Sequence, residues 1–294
     1  MSQYDIQYNK IIKKILTEGI SDEEYKVRTK WETDGAPAFT KSIISQKMRF
    51  DNSEVPILTT KKVAWKTAIK ELLWIWQKKS NKVQDLRDMG VNIWNQWEEK
   101  DGTIGNSYGY QLGKKVRRDP NMFNNSNSFR NMGGTDLHID QVDYLLYQLI
   151  NNPSSRRHIT MLWNPNDLDY MSLTPCVYET QWYVKQGKLS LEVRSRSNDM
   201  ALGNPFNVFQ YNVLQRIIAQ VIGYELGEYI FNIGDCHAYV RHLDNLNEQI
   251  KRKTYDAPTL WINPEIKNFY DFTIDDFKLI DYQHGDKVKY EVAI

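Results

Sequence analysis

The chain has 294 residues, 41% of them hydrophobic, which suffices for one large domain with a substantial core. Thirty-eight lysines and arginines against 37 aspartates and glutamates leave a formal charge of +1. No broad basic field therefore invites nucleic acid or an acidic membrane, and any anion site has to be local.

The opening segment, MSQYDIQYNKIIKKIL, holds no apolar run of signal-peptide length. Nowhere do about 18 apolar residues run together, so no membrane span is expected. Only Cys176 and Cys236 occur, too few for a disulfide framework or a cysteine-rich zinc site. Cys236 adjoins His237, which is not a chelating spacing, so no metal is expected. A reducing, cytoplasmic location fits this composition.

In chain order, Tyr4, Tyr8, Ile11, Ile12, Ile15 and Leu16 fall at helical spacing, and Gly19 follows as a stop. Residues 64–77 (AWKTAIKELLWIWQ) predict a second, strongly apolar helix, and residues 140–151 a third. Residues 119–134 (DPNMFNNSNSFRNMGG) are rich in Asn, Ser and Gly and predict a surface loop within the domain. A strand is expected over His158–Trp163. The pattern from Val177 to Val184 and from Leu189 to Val193 approximates alternation, with Lys185 to Lys188 between, which predicts a hairpin. Asn204-Pro205 offers an N-cap and an N1 proline for an apolar helix ending at Gly223. Residues 228–233 and 287–293 predict further strands. Helices and hairpins mix without regular alternation, so the fold class is α+β with a mostly antiparallel or mixed sheet.

Five groups of residues could carry chemistry. Cys176 lies directly before a predicted strand, and Arg194-Ser195-Arg196-Ser197-Asn198-Asp199 ends the returning one. Hairpin pairing brings a guanidinium within reach of the thiol, which would favour the thiolate, although a lone cysteine is more often a small buried hydrophobe. Arg156-Arg157 is a potential oxyanion clamp, since guanidinium forks match phosphate, although most arginine pairs are simply solvated. Glu71 sits in an apolar helix, where it either faces water or, if buried, has a raised pKa suited to proton transfer. His237 and Tyr239 share a face if that stretch is extended. Trp94 and Trp97 are core residues or a platform for a flat ring.

Together these residues resemble a known family. Thr174-Pro175-Cys176, Gln181-Trp182-Tyr183-Val184, Arg196-Ser197-Asn198-Asp199 and Leu202-Gly203-Asn204-Pro205-Phe206-Asn207 are similar to the signature of thymidylate synthases. The likeness extends over Met48-Arg49-Phe50, Pro56 to Lys61, Glu71-Leu72-Leu73-Trp74, Ile93-Trp94, Ser155-Arg156-Arg157, Gly234-Asp235 and the terminal Val292-Ala293-Ile294. It points to the branch of bacilli and their phages.

The resemblance implies a homodimer joined through its sheet. It also implies reductive methylation of deoxyuridine monophosphate (dUMP) at carbon 5. The donor of both carbon and hydride would be 5,10-methylenetetrahydrofolate, with no metal and no nicotinamide. Cys176 would add to uracil carbon 6. Arg28, Arg196 and Ser197 would hold the phosphate, with Arg156 and Arg157 reaching in from the partner subunit. Asn207 would read the pyrimidine edge, Asp199 would face both ligands, and His237 and Tyr239 would hold the ribose hydroxyl. Glu71 would relay protons and Tyr108 would serve abstraction at carbon 5. Lys61, Ile93, Trp94, Trp97, Leu173, Asp199, Leu202, Gly203 and Phe206 would form the folate pocket, with Ala293 in a tail that closes over it.

The sequence departs from the family pattern at Val177, where His is frequent, at Ser195, where Gln is frequent, and after Arg28-Thr29, where Lys30 to Thr40 is longer and different. A cytosine hydroxymethylase relative would carry Asp in place of Asn207. A cysteine hydrolase would need an oxyanion-hole glycine motif that is missing beside Cys176. An RNA-binding role is not indicated by the balanced charge.

Overall fold

Ser2 opens the first helix, α1 (Gln3–Glu18), by accepting the amide of Asp5, and Gly19 closes it. Tyr4, Tyr8, Ile11, Ile12 and Ile15 recur at helical period and are buried on one face. Asp5 is buried among them. Its carboxylate accepts both the Thr59 backbone amide at 3.0 Å and the Thr59 hydroxyl at 2.6 Å, so the buried charge is not left without partners. The structure, a computed structural model, describes residues 1–118 and 137–294. The Asn-rich stretch 119–134 lies outside the described residues.

The chain continues through β1 (Ile20–Ser21), β2 (Thr40–Phe50), α2 (Trp65–Trp76), α3 (Val83–Asp88), α4 (Gly109–Gly113), β3 (Val116–Arg118) and β4 (Leu137–Ile139). There follow α5 (Gln141–Asn151), β5 (His158–Met161), β6 (Val177–Lys185), β7 (Lys188–Asp199), α6 (Gly203–Ile222) and β8 (Glu225–Tyr239). The described chain ends with α7 (Leu243–Gln249), β9 (Thr259–Ile262) and β10 (Phe277–Ile280). Six strands make one mixed sheet in the order β1-β2-β8-β7-β6-β5. Only β7 and β8 are parallel, because α6 carries the chain back across the inner face between them. Leu189, Leu191 and Val193 of β7 and Tyr229, Phe231 and Ile233 of β8 are buried under the helices. The expected α+β class with a large mixed sheet is what forms.

The hairpin of β6 and β7 is tighter than the sequence suggested. Lys185 pairs with Lys188, leaving the two-residue turn Gln186-Gly187, both at positive φ. That turn matches the right-handed twist of the strands. Three other expectations are corrected. The strand around 228–233 runs the full length of Glu225–Tyr239. Among the described residues, 287–293 form no ladder and only the short segment 30–32 lies alongside: Trp31 bridges Ala293, and Lys30 and Ile294 exchange backbone bonds of 2.7 and 2.8 Å. Helix α6 begins at Gly203, so Asn204 and Pro205 lie inside its first turn, and Asn204 is not the cap. The Asp199 carboxylate instead accepts the amides of Ala201 and Leu202 at 2.8 and 3.2 Å, holding the turn that leads into the helix.

Candidate active site

The adjacent ends of β7 and β8 fix the site. Their parallel register sets Ser197 beside Asp235, Asn198 beside Cys236 and Asp199 beside His237. Gly234 permits this approach, because a Cβ there would come within 2.7 Å of the Arg196 carbonyl oxygen. Above these ends opens a cavity of roughly 840 Å³. Arg28, Glu71, Ile93, Trp94, Trp97, Tyr108, Leu173, Cys176, Arg196, Ser197, Asp199, Leu202, Gly203, Phe206, Asn207, His237, Tyr239 and Ala293 all line it.

Three residues singled out in the sequence do not. Lys61 is buried and turns its ammonium to the Ala201 carbonyl and the Tyr290 ring. Burial brings its pKa down to about 8, against the pull of Asp199. Arg156 and Arg157 precede β5 and are exposed at the far side of the sheet edge. Neither guanidinium bonds to another side chain among the described residues.

Cys176 is gripped from both sides. Its amide donates to the Tyr108 hydroxyl at 3.2 Å, and its carbonyl accepts the Arg196 amide at 2.8 Å. The Arg196 guanidinium donates to the carbonyls of Pro175 and Thr174, each at 3.0 Å, and to the Thr174 hydroxyl at 2.9 Å. The cation is thereby pinned against the cysteine turn. Burial pushes the Cys176 thiol pKa up, while Arg196 and then Tyr108 pull it down. The expected guanidinium effect is thus present, and burial outweighs it. Cys236, fully buried on β8, is pushed up to about 12 chiefly by burial.

Glu71 does not face water. It is buried on α2, accepting the indole N–H of Trp94 and the side-chain amide of Gln210. Burial raises its pKa, and those two hydrogen bonds partly offset the rise. Tyr108 reaches the cavity from a backbone at φ +46°, immediately before Gly109. A Cβ on Gly109 would lie 2.3 Å from the Ser80 carbonyl oxygen, so only glycine lets α4 start there. His237 Nδ1 is 2.7 Å from Asp235. Burial opposes its charge, yet the Asp235 hydrogen bond, with Asp199 and Asp235 nearby, carries its pKa above the ordinary value.

Asn207 bonds to Asn198 at 3.0 Å and to Gln210 at 3.4 Å. Asn198, Gln210 and Asp235 are site residues to which the sequence reading gave no role. Gln210 could have been noticed as a polar side chain in the otherwise apolar run Val208-Phe209-Gln210-Tyr211.

In chemical terms the cavity offers a nucleophile, cations for an anion, an amide to read a ring edge and a buried carboxylate. The walls from Ile93, Trp94, Leu173, Leu202 and Phe206 are largely apolar and aromatic, which suits a second, flat ligand such as a folate.

The family model for thymidylate synthase matches residues 6–294. The chain is 75% identical to the thymidylate synthase of Bacillus licheniformis over 294 residues, covering all of both chains. It is 71% identical to that of Bacillus phage phi3T, again over both full lengths. Among solved structures it is similar to the thermostable thymidylate synthase A from Bacillus subtilis, with a TM-score of 0.91 at 71% identity and complete coverage of both chains. Sequence motifs, cavity and relatives agree, and the chain belongs to the thymidylate synthase family.

Proposed function

We infer that this chain is an enzyme that methylates dUMP at carbon 5 to give thymidylate, as its family does. The observation that carries this reading is that Cys176, Arg196, Asn207 and Glu71 line a single cavity large enough for nucleotide and folate together. The folate supplies the one-carbon unit and the hydride.

The chain's own residues do the rest. Arg28, Arg196 and Ser197 hold the phosphate, and the Asn207 amide pairs with the uracil edge. His237 and Tyr239 hold the ribose. Cys176 Sγ forms a bond to uracil carbon 6 as the ring's π electrons shift to carbon 5, making it nucleophilic. The positive charge of Arg196 favours the thiolate needed for that step. Glu71, with its raised pKa, accepts and returns protons near the carbon 4 oxygen. The Tyr108 hydroxyl, already bonded to the Cys176 amide, serves the loss of the carbon 5 proton. Val292 to Ile294 border the opening and limit water. Lys61 takes part in folate binding only after its head group leaves the Ala201 carbonyl.

The working unit is a homodimer formed through the open sheet face. Ile44 is 80% exposed on β2, and Ile159 and Met161 are exposed on β5, which a second copy would cover. Arg156 and Arg157, beside that face, then serve the partner's phosphate site. The cytoplasm is the proposed location, because a reactive Cys176 requires a reducing environment.

Incubation with 5-fluoro-deoxyuridylate and methylenetetrahydrofolate should give a stable covalent adduct on the Cys176 peptide, read by mass spectrometry. Cys176→Ser should abolish turnover and Cys236→Ser should not. Absence of an adduct, or equal loss in both variants, would overturn the assignment.

A further inference from the structure

Behind Asn207 runs a line of buried side chains whose hydrogen bonds all point the same way. The Tyr4 hydroxyl donates to Asn204 Oδ1 at 2.8 Å. Asn204 Nδ2 donates to Asn198 Oδ1 at 2.6 Å, and Asn198 Nδ2 to Asn207 Oδ1 at 3.0 Å. Asn207 Nδ2 then faces Gln210 Oε1 at 3.4 Å. Gln210 Nε2 ends the series on the Ala68 backbone carbonyl at 2.9 Å and on the Glu71 carboxylate.

We propose that Asn198 and Asn204 are specificity-determining positioning residues, which hold the Asn207 amide in the one orientation that accepts uracil and rejects cytosine. This rests on the reading of Asn207 as the pyrimidine reader.

The direction of the series is set at its far end. A backbone carbonyl can only accept, so Gln210 must give Ala68 an N–H and turn its own oxygen towards Asn207. Asn207 therefore turns its nitrogen to Gln210 and its oxygen to Asn198. One lone pair on Oδ1 and one N–H on Nδ2 remain for the nucleotide. Uracil complements them with its N3–H donor and carbon 4 oxygen. Cytosine presents the reverse, an acceptor at N3 and an amino group at carbon 4. Binding it would require the Asn207 amide to invert.

Inversion sets nitrogen against nitrogen at Asn198 and oxygen against oxygen at Gln210. Tyr4, Asn198, Asn204 and Gln210 are at most 3% exposed, so water cannot replace the lost bonds. The Asn198 bond is the shorter of the two that hold Asn207 and so the stronger restraint. Asn198 is in turn held by Asn204, since turning its amide would face two NH₂ groups.

The test is nucleotide affinity by calorimetry on the intact protein, with thermal melting to verify folding. In Asn198→Ala the Asn207 amide keeps only the longer contact. The dissociation constant for deoxycytidine monophosphate should then fall about tenfold, the worth of one hydrogen bond, while dUMP binding changes less. General damage to the site would weaken both nucleotides, so tighter cytidylate binding is specific to the lock. Asn204→Leu, which leaves Asn198 in place but frees it to turn, should shift the ratio in the same direction by less. Folded variants that keep the wild-type ratio would overturn this inference alone. A wild-type protein that binds neither nucleotide would instead remove the underlying reading of the site.

Discussion

Glu71 is the residue whose protonation has the plainest consequence. Burial raises its pKa above the ordinary carboxylate value, so the folded chain holds this proton over a pH range where the unfolded chain has released it. In that window stability falls as pH rises, by at most about 1.4 kcal/mol per pH unit, and it levels off above the folded pKa. Urea unfolding at a series of pH values should show this slope in the wild type and lose it in Glu71→Gln. If Glu71 moves protons as proposed, the same variant should lower turnover about 10²-fold or more. An identical pH dependence in both proteins would show that Glu71 does not titrate in this range. At this scale the sequence was legible for placement, since Cys176 and Arg196 of the motif both line the cavity. It was illegible for Gln210, whose partner Ala68 lies 142 positions away, and for Asn198, whose partners Asn204 and Asn207 are near in the chain but meet it only once the turn between β7 and α6 has formed.

Two glycines separate backbone strain from steric contact at the scale of elements. Gly223 ends α6 at φ +77°, and a Cβ there would meet nothing within 4 Å. Gly223→Ala should therefore cost only the left-handed conformation, about 1 kcal/mol, with activity retained. Gly109→Ala would press a Cβ against the Ser80 backbone and displace Tyr108 from Cys176. Its turnover should fall at least about tenfold, an effect the Gly223 variant should lack. Comparable activity in the two would show that α4 gives way without moving Tyr108. Helices with a strong apolar period, α1, α2 and α5, were readable to within a residue or two from the sequence alone. The tail at 287–293 was not, because alternation shows that a segment can extend but not whether an edge is available to pair with it. The start of α6 was missed for a related reason. Asn204 has the chemistry of a cap, but its side chain is used by Asn198 and Tyr4.

At the scale of the whole molecule, Arg156 and Arg157 are exposed and lie outside the cavity of their own chain. If they complete a partner's phosphate site, mixing Arg156→Ala/Arg157→Ala protein with Cys176→Ser protein should restore activity that neither has alone. One intact site per mixed dimer sets the ceiling at about a quarter of wild-type turnover for random exchange of equal amounts. No recovery after verified subunit exchange would remove the shared-site reading. The pairing of the last residues with Lys30 to Glu32 has a practical corollary. Ile294 exchanges both backbone bonds with Lys30, and Arg241 ties the nearby Glu291 to Asp34. An affinity tag fused behind Ile294 would have to thread out beside the cavity mouth, whereas one placed ahead of Met1 would leave from an exposed helix end. Purification handles therefore belong at the front of this polypeptide.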